Sequence, residues 1–307
     1  MTENDLVSVI IPTYKRPDVL SRSIDSVLNQ SYGNIEIIVV DDNDPDSEFR
    51  QTTARVMQLY ESNGKVRYIQ HERNKNGSAA RNTGFRASRG AYIMFLDDDD
   101  EFFPTKIESQ ISCLKERDES WGVCYTEYVR KNDNGEIVAV CGEKREGSLL
   151  KEVLARNLFV HAGSNLMIRR SVIEEINGFD ESFKRNQDIE FLARILKKYK
   201  IAYVPTVGLI VHVHRASPSG NIDVNAITEH YLATFRPMIE TLSASEQEYI
   251  YELIDLQLFR YFLLGYKDIF KAYEIIKRKK ISIITVLKYL HYMLKRKITK
   301  KAYGFSL

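Results

Sequence analysis

The sequence predicts an α/β fold, a mostly parallel central sheet covered by helices, with a helical C-terminal appendage. Three observations predict it. Between residues 7 and 115, short β-branched runs alternate with stretches whose apolar residues recur at helical spacing, the pattern of strand-helix-strand units. Residues 121–140 then read as a hairpin. From about Val224 the pattern is helical to the end, which divides the chain into domains 1–220 and 221–307 with PSGN (218–221) as linker.

The elements follow in order. VSVIIP, IEIIVV and AYIMFL are apolar throughout, as strands buried on both faces must be, and a weaker VRYIQ lies between the last two. After the first run, Leu20, Ile24, Val27 and Leu28 form one helical face behind a first turn holding Pro17 and Asp18. VCYTEYV and EIVAV are joined through Asn-Asp-Asn-Gly, a hairpin signal. Helices are expected at 147–156, 171–176 and 188–199, then strands at IAYVP and GLIVHVH. In parallel sheets ligands bind beyond the carboxyl ends of the strands. Thr13 to Arg16, Asp41 to Asp44 and Asp97 to Asp100 all follow strands, so all three clusters are expected on one edge.

Charge and cysteine content narrow the setting. The formal net charge is +2, yet residues 271–301 hold eleven Lys/Arg against one acid, Glu274, a local +10 that leaves −8 elsewhere. A basic stretch interleaved with ISIITVL and YLHYML suits an anionic membrane surface; a solvated face, a homodimer contact and non-specific nucleic-acid affinity are the alternatives. No uncharged apolar run approaches the ~18 residues a spanning helix needs. MTENDLVSVI has no charged leader followed by an apolar core, so the mature chain is expected to start near Met1. Cys113, Cys124 and Cys141 match neither a zinc site nor a disulfide framework, which implies a reducing, cytoplasmic compartment.

The chemistry centres on FLDDDD, Phe95 to Asp100. Adjacent ionised carboxylates ~6 Å apart at an effective dielectric of ~20 repel by roughly 3 kcal/mol. A divalent cation beside a diphosphate would offset that, since Mg²⁺ and Mn²⁺ take one or two protein carboxylates and fill the rest with phosphate and water. Upstream, Gly77, Ser78, Ala79 and Ala80 open a helix whose N–H groups can face an anion, and Arg81 adds a bidentate phosphate donor.

VSVIIPTYKRPDVLSRSIDSVLNQSYGNIEIIVVDDND, followed by ARNTGFRASRGAYIMFLDDDD, resembles the family 2 glycosyltransferases of the GT-A fold, from Val7 to about Ser219. The resemblance implies a nucleotide-sugar donor, a UDP-sugar, and a saccharide or lipid-linked acceptor of cell-surface polysaccharide synthesis. It also implies Mn²⁺ or Mg²⁺ and a place on the inner face of the cytoplasmic membrane, with no nucleic-acid partner. Pro12, Thr13, Tyr14, Arg16 and Asp42 would form the nucleoside pocket, with Arg81 at the diphosphate. Asp97-Asp98-Asp99 corresponds to the family's Asp-X-Asp, with Asp99 the metal ligand, Asp97 or Asp98 near the ribose, and Asp100 a supporting or capping residue. Asp188 corresponds to the general base, although Gln187 stands where the family has Glu; a helix N-cap is its structural alternative. Gly163, Ser164 and Asn165, in HAGSNLMIRRSVIEEINGFDESF, would lie on the acceptor side. His214, in VHVHRASPS, would join the metal site, and His212 occupies the position of a family Arg. A sugar nucleotidyltransferase and a non-catalytic carbohydrate-binding or assembly protein are the competing readings; VIIPTYKRP lacks the Gly- and Lys-rich loop of the first.

Overall fold

A computed structural model describes residues 5–183, 185–213 and 223–307. His214 and the PSGN linker lie outside the described residues. The chain forms two compact units, one of residues 1–148 and 160–213, the other of Leu149–Phe159 and the remainder.

In the first unit, β1 (Val7–Thr13), β2 (Ile35–Asp41), β3 (Val66–Gln70) and β4 (Tyr92–Phe95) are parallel, in the order β3-β2-β1-β4. All seven residues of β2 are buried, and β1 is buried apart from a half-exposed Pro12, which explains the unbroken apolar runs. The helix Pro17–Leu28 buries Leu20, Ile24 and Val27. The helix Gly77–Ala87 approaches β1 so closely that a Cβ on Gly84 would collide with Ile10, so a larger residue there would push helix and sheet apart.

Beyond β4 the sheet is mixed rather than mostly parallel. After β5 (Glu101–Phe102) come β6 (Trp121–Asn132) and β7 (Ile137–Cys141), the expected hairpin, with Gly135 in the left-handed region. β8 (Leu166–Arg169) runs antiparallel between β4 and β6. The two late strands expected from the sequence are one, β9 (Lys200–Val213), parallel to β6 and antiparallel to β5. Its pairing with β6 shifts register around Glu127, and this irregularity carries the strand across the IAYVP–GLIVHVH interruption.

The second unit comprises the helices Leu150–Leu154, Val224–Ile239, Ala244–Arg260, Ile269–Lys279 and Ile283–Thr299. Leu149–Phe159, which the sequence left in the first domain, is tied here by polar contacts. Tyr231 OH donates to Leu154 O at 2.9 Å, Gln257 Nε2 to Ala155 O at 2.8 Å, and the Asn157 amide pairs with both backbone groups of Phe305 at 2.8 Å. Among the described residues no helix is long and apolar enough to cross a membrane.

Candidate active site

Strand register assembles the site. Thr13 lies beside Asp41 and Ile10 beside Phe95, so the chain leaves β1, β2 and β4 on one edge. A cavity of about 350 Å³ opens there. Its wall includes all eight residues expected at the donor: Pro12, Thr13, Tyr14, Arg16, Asp42, Arg81, Asp97 and Asp98. Asn74, Asn76, Gly77 and Ala80 complete it.

The four aspartates do not wait for a metal to offset their repulsion. Arg81 Nη2 donates to Asp97 Oδ1 at 2.5 Å. Arg16 Nη1 bridges Asp98 Oδ1 at 3.3 Å and Asp99 Oδ2 at 2.6 Å. His161 Nε2 meets Asp100 Oδ2 at 3.1 Å. The chain thus places basic side chains of its own beside the run.

The environments of these acids differ. Burial raises the Asp97 carboxyl, but Arg81, His161 and Arg16 outweigh it and hold the group below its usual value. Burial pushes Asp98 up to about 6, against the opposing Thr13 hydroxyl (2.8 Å) and Arg16. Asp99 is also raised by burial, against Arg16. Burial pulls His161 down, yet its hydrogen bond to Asp100 and the charge of Asp97 leave it above its ordinary value.

The set with converging donor atoms is Asp97, Asp100 and His161, all within 4.8 Å of one another; no other such cluster occurs among the described residues. Asp99, the ligand expected from the sequence, lies outside that set and pairs with Arg16. The turn explains the difference. Asp100 N donates to Asp97 O at 3.1 Å, and such a turn brings residues three apart together, whereas strand alternation would pair Asp97 with Asp99. His161, which the sequence reading passed over, holds a left-handed backbone at φ 53°, a conformation an L-residue adopts only when its surroundings impose it. The one sequence signal for it is its place at the head of the HAGSN block.

Other expected residues take supporting positions. Asp42 is buried: its Oδ1 accepts Lys75 N at 2.8 Å and meets His71 Nδ1 at 2.7 Å, and its Oδ2 accepts Asn74 Nδ2 at 3.0 Å. It therefore closes the loop at 71–75 as well as lining the cavity. At the start of the helix Gly77–Ala87, Asn76 Oδ1 accepts from Ser78 N and Ala79 N, so two of the N–H groups expected to face an anion are already capped.

Ser164 and Asn165, expected on the acceptor side, are fully buried, so their side chains point into the core. Ser164 Oγ accepts Asp97 N at 3.1 Å. Asn165 Oδ1 receives Lys106 Nζ at 2.6 Å and Thr126 Oγ1 at 2.7 Å, while its amide donates to Thr126 O and Val160 O. Gly163 alone borders the site: a Cβ there would lie 2.9 Å from Asp97 Oδ2.

Asp188 is half-buried in the first turn of the helix Gln187–Leu196. The cap position is Asn186, so Asp188 is not the N-cap. It is not in the cavity wall; its neighbour Gln187 places Oε1 3.5 Å from where a Gly77 Cβ would be, at the cavity rim. His212 is committed elsewhere, with Nε2 2.5 Å from Glu101 Oε1 and its N–H directed at Asp100.

A family model described as glycosyl transferase family 2 matches residues 8–177, more than half of the chain. The chain belongs to glycosyl transferase family 2. An uncharacterized glycosyltransferase of Rickettsia bellii is 30% identical over 78% of this chain, which spans only 34% of that relative. The Escherichia coli UDP-Glc:alpha-D-GlcNAc-diphosphoundecaprenol beta-1,3-glucosyltransferase WfgD is 30% identical over 70% of this chain and 78% of its own. Staphylococcus aureus TarS 1-349 in complex with UDP-GlcNAc superposes with a TM-score of 0.64, covering 96% of this chain and 88% of TarS. At 17% identity that likeness speaks for the fold alone, the GT-A fold of this family-2 chain.

Proposed function

We propose that this family-2 protein is an inverting glycosyltransferase that moves a sugar from a UDP-sugar to a hydroxyl of a saccharide or lipid-linked acceptor in cell-surface polysaccharide synthesis. One observation carries the reading: a single cavity gathers the β1 and β2 loops, Arg81 and the first two aspartates of the acidic run, Asp97 and Asp98. The donor and acceptor named for WfgD support the uridine nucleotide and the lipid-linked saccharide.

The residues fit a divalent cation. Two carboxylates and an imidazole converge at Asp97, Asp100 and His161, a donor set that suits Mn²⁺ better than the all-oxygen preference of Mg²⁺. When bound, the ion supplies positive charge against the charge that develops on the leaving diphosphate. Arg81 shares that task. Its Nε is buried with no hydrogen-bond partner among the described residues, a donor that a phosphate oxygen would satisfy. Asp98 holds the β1 loop through Thr13 and Tyr14 N, and so shapes the nucleoside end. Asp188 takes the proton of the acceptor hydroxyl as that oxygen attacks the anomeric carbon from the face opposite the nucleotide. Asp99 remains with Arg16, and the basic stretch 271–301 contacts an anionic membrane.

The test is a panel of nucleotide sugars measured by thermal shift with and without Mn²⁺. Ligand at a hundred times its Kd adds ~2.7 kcal/mol of stability, so a UDP-sugar should raise the melting temperature while GDP- and TDP-sugars do not. Silence across the panel would sink the reading in favour of a non-catalytic carbohydrate-binding protein.

A further inference from the structure

The C-terminal unit presents a face for which sugar transfer has no use. In the helix Ile283–Thr299, Tyr289 and Tyr292 are buried and lie with ring centroids 5.1 Å from that of Phe305. The other side exposes Ile283 (75%), Ile284 (67%), Leu287 (60%), Leu294 (57%) and Ile298 (72%). At 100° per residue these five side chains fall within an arc of ~100°, the width of a complete apolar stripe. Lys288 and Lys295 border one edge of it and Lys297 the other, all exposed. Apolar residues scattered singly on a surface need no explanation, but five aliphatic side chains sharing one arc, with the exposed His291 the one polar residue among them, do.

The charge identifies what covers it. With +10 over residues 271–301, a second copy docking through the same face would set like charges against each other. A nucleic acid would engage the lysines and leave the aliphatic stripe in water. An anionic bilayer satisfies both parts, acyl chains taking the isoleucines and leucines while lipid phosphates take the lysines.

We propose that the helix Ile283–Thr299 lies in the plane of an anionic bilayer with its aliphatic stripe inserted below the phosphates. This rests on the reading that the basic stretch contacts membrane and adds insertion to it. Binding therefore has a component that salt does not screen.

The experiment is flotation of the full chain with phosphatidylcholine vesicles, with and without phosphatidylglycerol, at low and high salt. The wild type should float with the anionic vesicles and retain part of its binding at high salt. Leu287→Ser with Leu294→Ser should lower partitioning by roughly tenfold or more, with an unchanged melting temperature because both side chains are exposed. Lys288→Glu with Lys295→Glu should lower it at low salt above all. In Ile284→Trp the added indole should shift its emission to the blue on anionic vesicles and be quenched by brominated lipid. If the serine pair floats like the wild type, or the indole is not quenched, insertion is wrong and surface adsorption stands. If the wild type ignores anionic vesicles, the membrane reading fails as well. A dimer in solution that the serine pair dissociates would assign the face to self-association and overturn the proposal.

Discussion

Lys106 offers the sharpest test of how the site is supported. The side chain is fully buried, and its Nζ reaches Thr126 Oγ1 at 3.0 Å and Asn165 Oδ1 at 2.6 Å. Burial pulls its pKa down to about 7. In the unfolded chain the amine titrates near its ordinary ~10.4. Above that pH it is neutral in both states and affects nothing. As the pH falls, the folded chain must stay deprotonated while the unfolded chain takes up a proton, so stability drops by ~1.4 kcal/mol per unit until about pH 7. Below that the full cost, on the order of 5 kcal/mol, is present. Lys106→Met keeps the length and apolar stem and removes the titration. Its lost hydrogen bonds lower stability by an amount that does not vary with pH. Urea denaturation of both proteins at pH 7, 8 and 9 should show the wild type gaining about 2 kcal/mol over the variant across that range. Donor binding should change little, because Asn165 keeps Thr126 at 2.7 Å and Val160 at 2.8 Å. Parallel stability profiles would mean that the amine keeps its proton in the core, and the argument from desolvation would be wrong.

Three further outcomes follow from the site and its proposed roles. Arg81→Ala removes the 2.5 Å contact with Asp97 and the unpartnered Nε, and UDP-sugar affinity measured by calorimetry should fall by ~10- to 100-fold, the ~1.5–3 kcal/mol of a charged hydrogen bond. Asp188→Asn should lower turnover by ~10²- to 10⁴-fold with donor affinity unchanged, since Asp188 is not in the cavity wall; retained turnover would remove it as the base. His161→Ala should weaken Mn²⁺ binding, read from the spectrum of free aquo-Mn²⁺ by electron paramagnetic resonance, by about tenfold or more, whereas Asp99→Asn should weaken it less.

Much of this architecture was readable in the residues because burial writes itself into strand sequences. VSVIIP and IEIIVV are apolar on both faces, and each turns polar where the strand reaches the ligand edge. The ligand edge followed from that pattern, and the individual residues of the cavity wall from the family resemblance. Two kinds of information were absent. One was local geometry: four adjacent aspartates look equivalent until a turn closed by Asp100 N on Asp97 O selects the first and the fourth. The other was long-range contact, as with His161, which meets Asp100 from 61 residues away in a backbone conformation that no spacing announces.

The same reasoning explains why Ser164 and Asn165 read as acceptor contacts and prove to be internal. The resemblance assigns Ser164 and Asn165 by their place in a block and carries no information on burial, and a buried amide is stable wherever its hydrogen bonds are met. Asn165 meets them with Lys106, Thr126 and Val160, and Ser164 meets them with Asp97 N. Their burial fixes the backbone of Asp97, and with it one corner of the cluster at Asp97, Asp100 and His161. The polar core beneath the acidic run therefore belongs to the site as much as the run does: a change at Asn165 should be felt at Asp97 even though no ligand touches it.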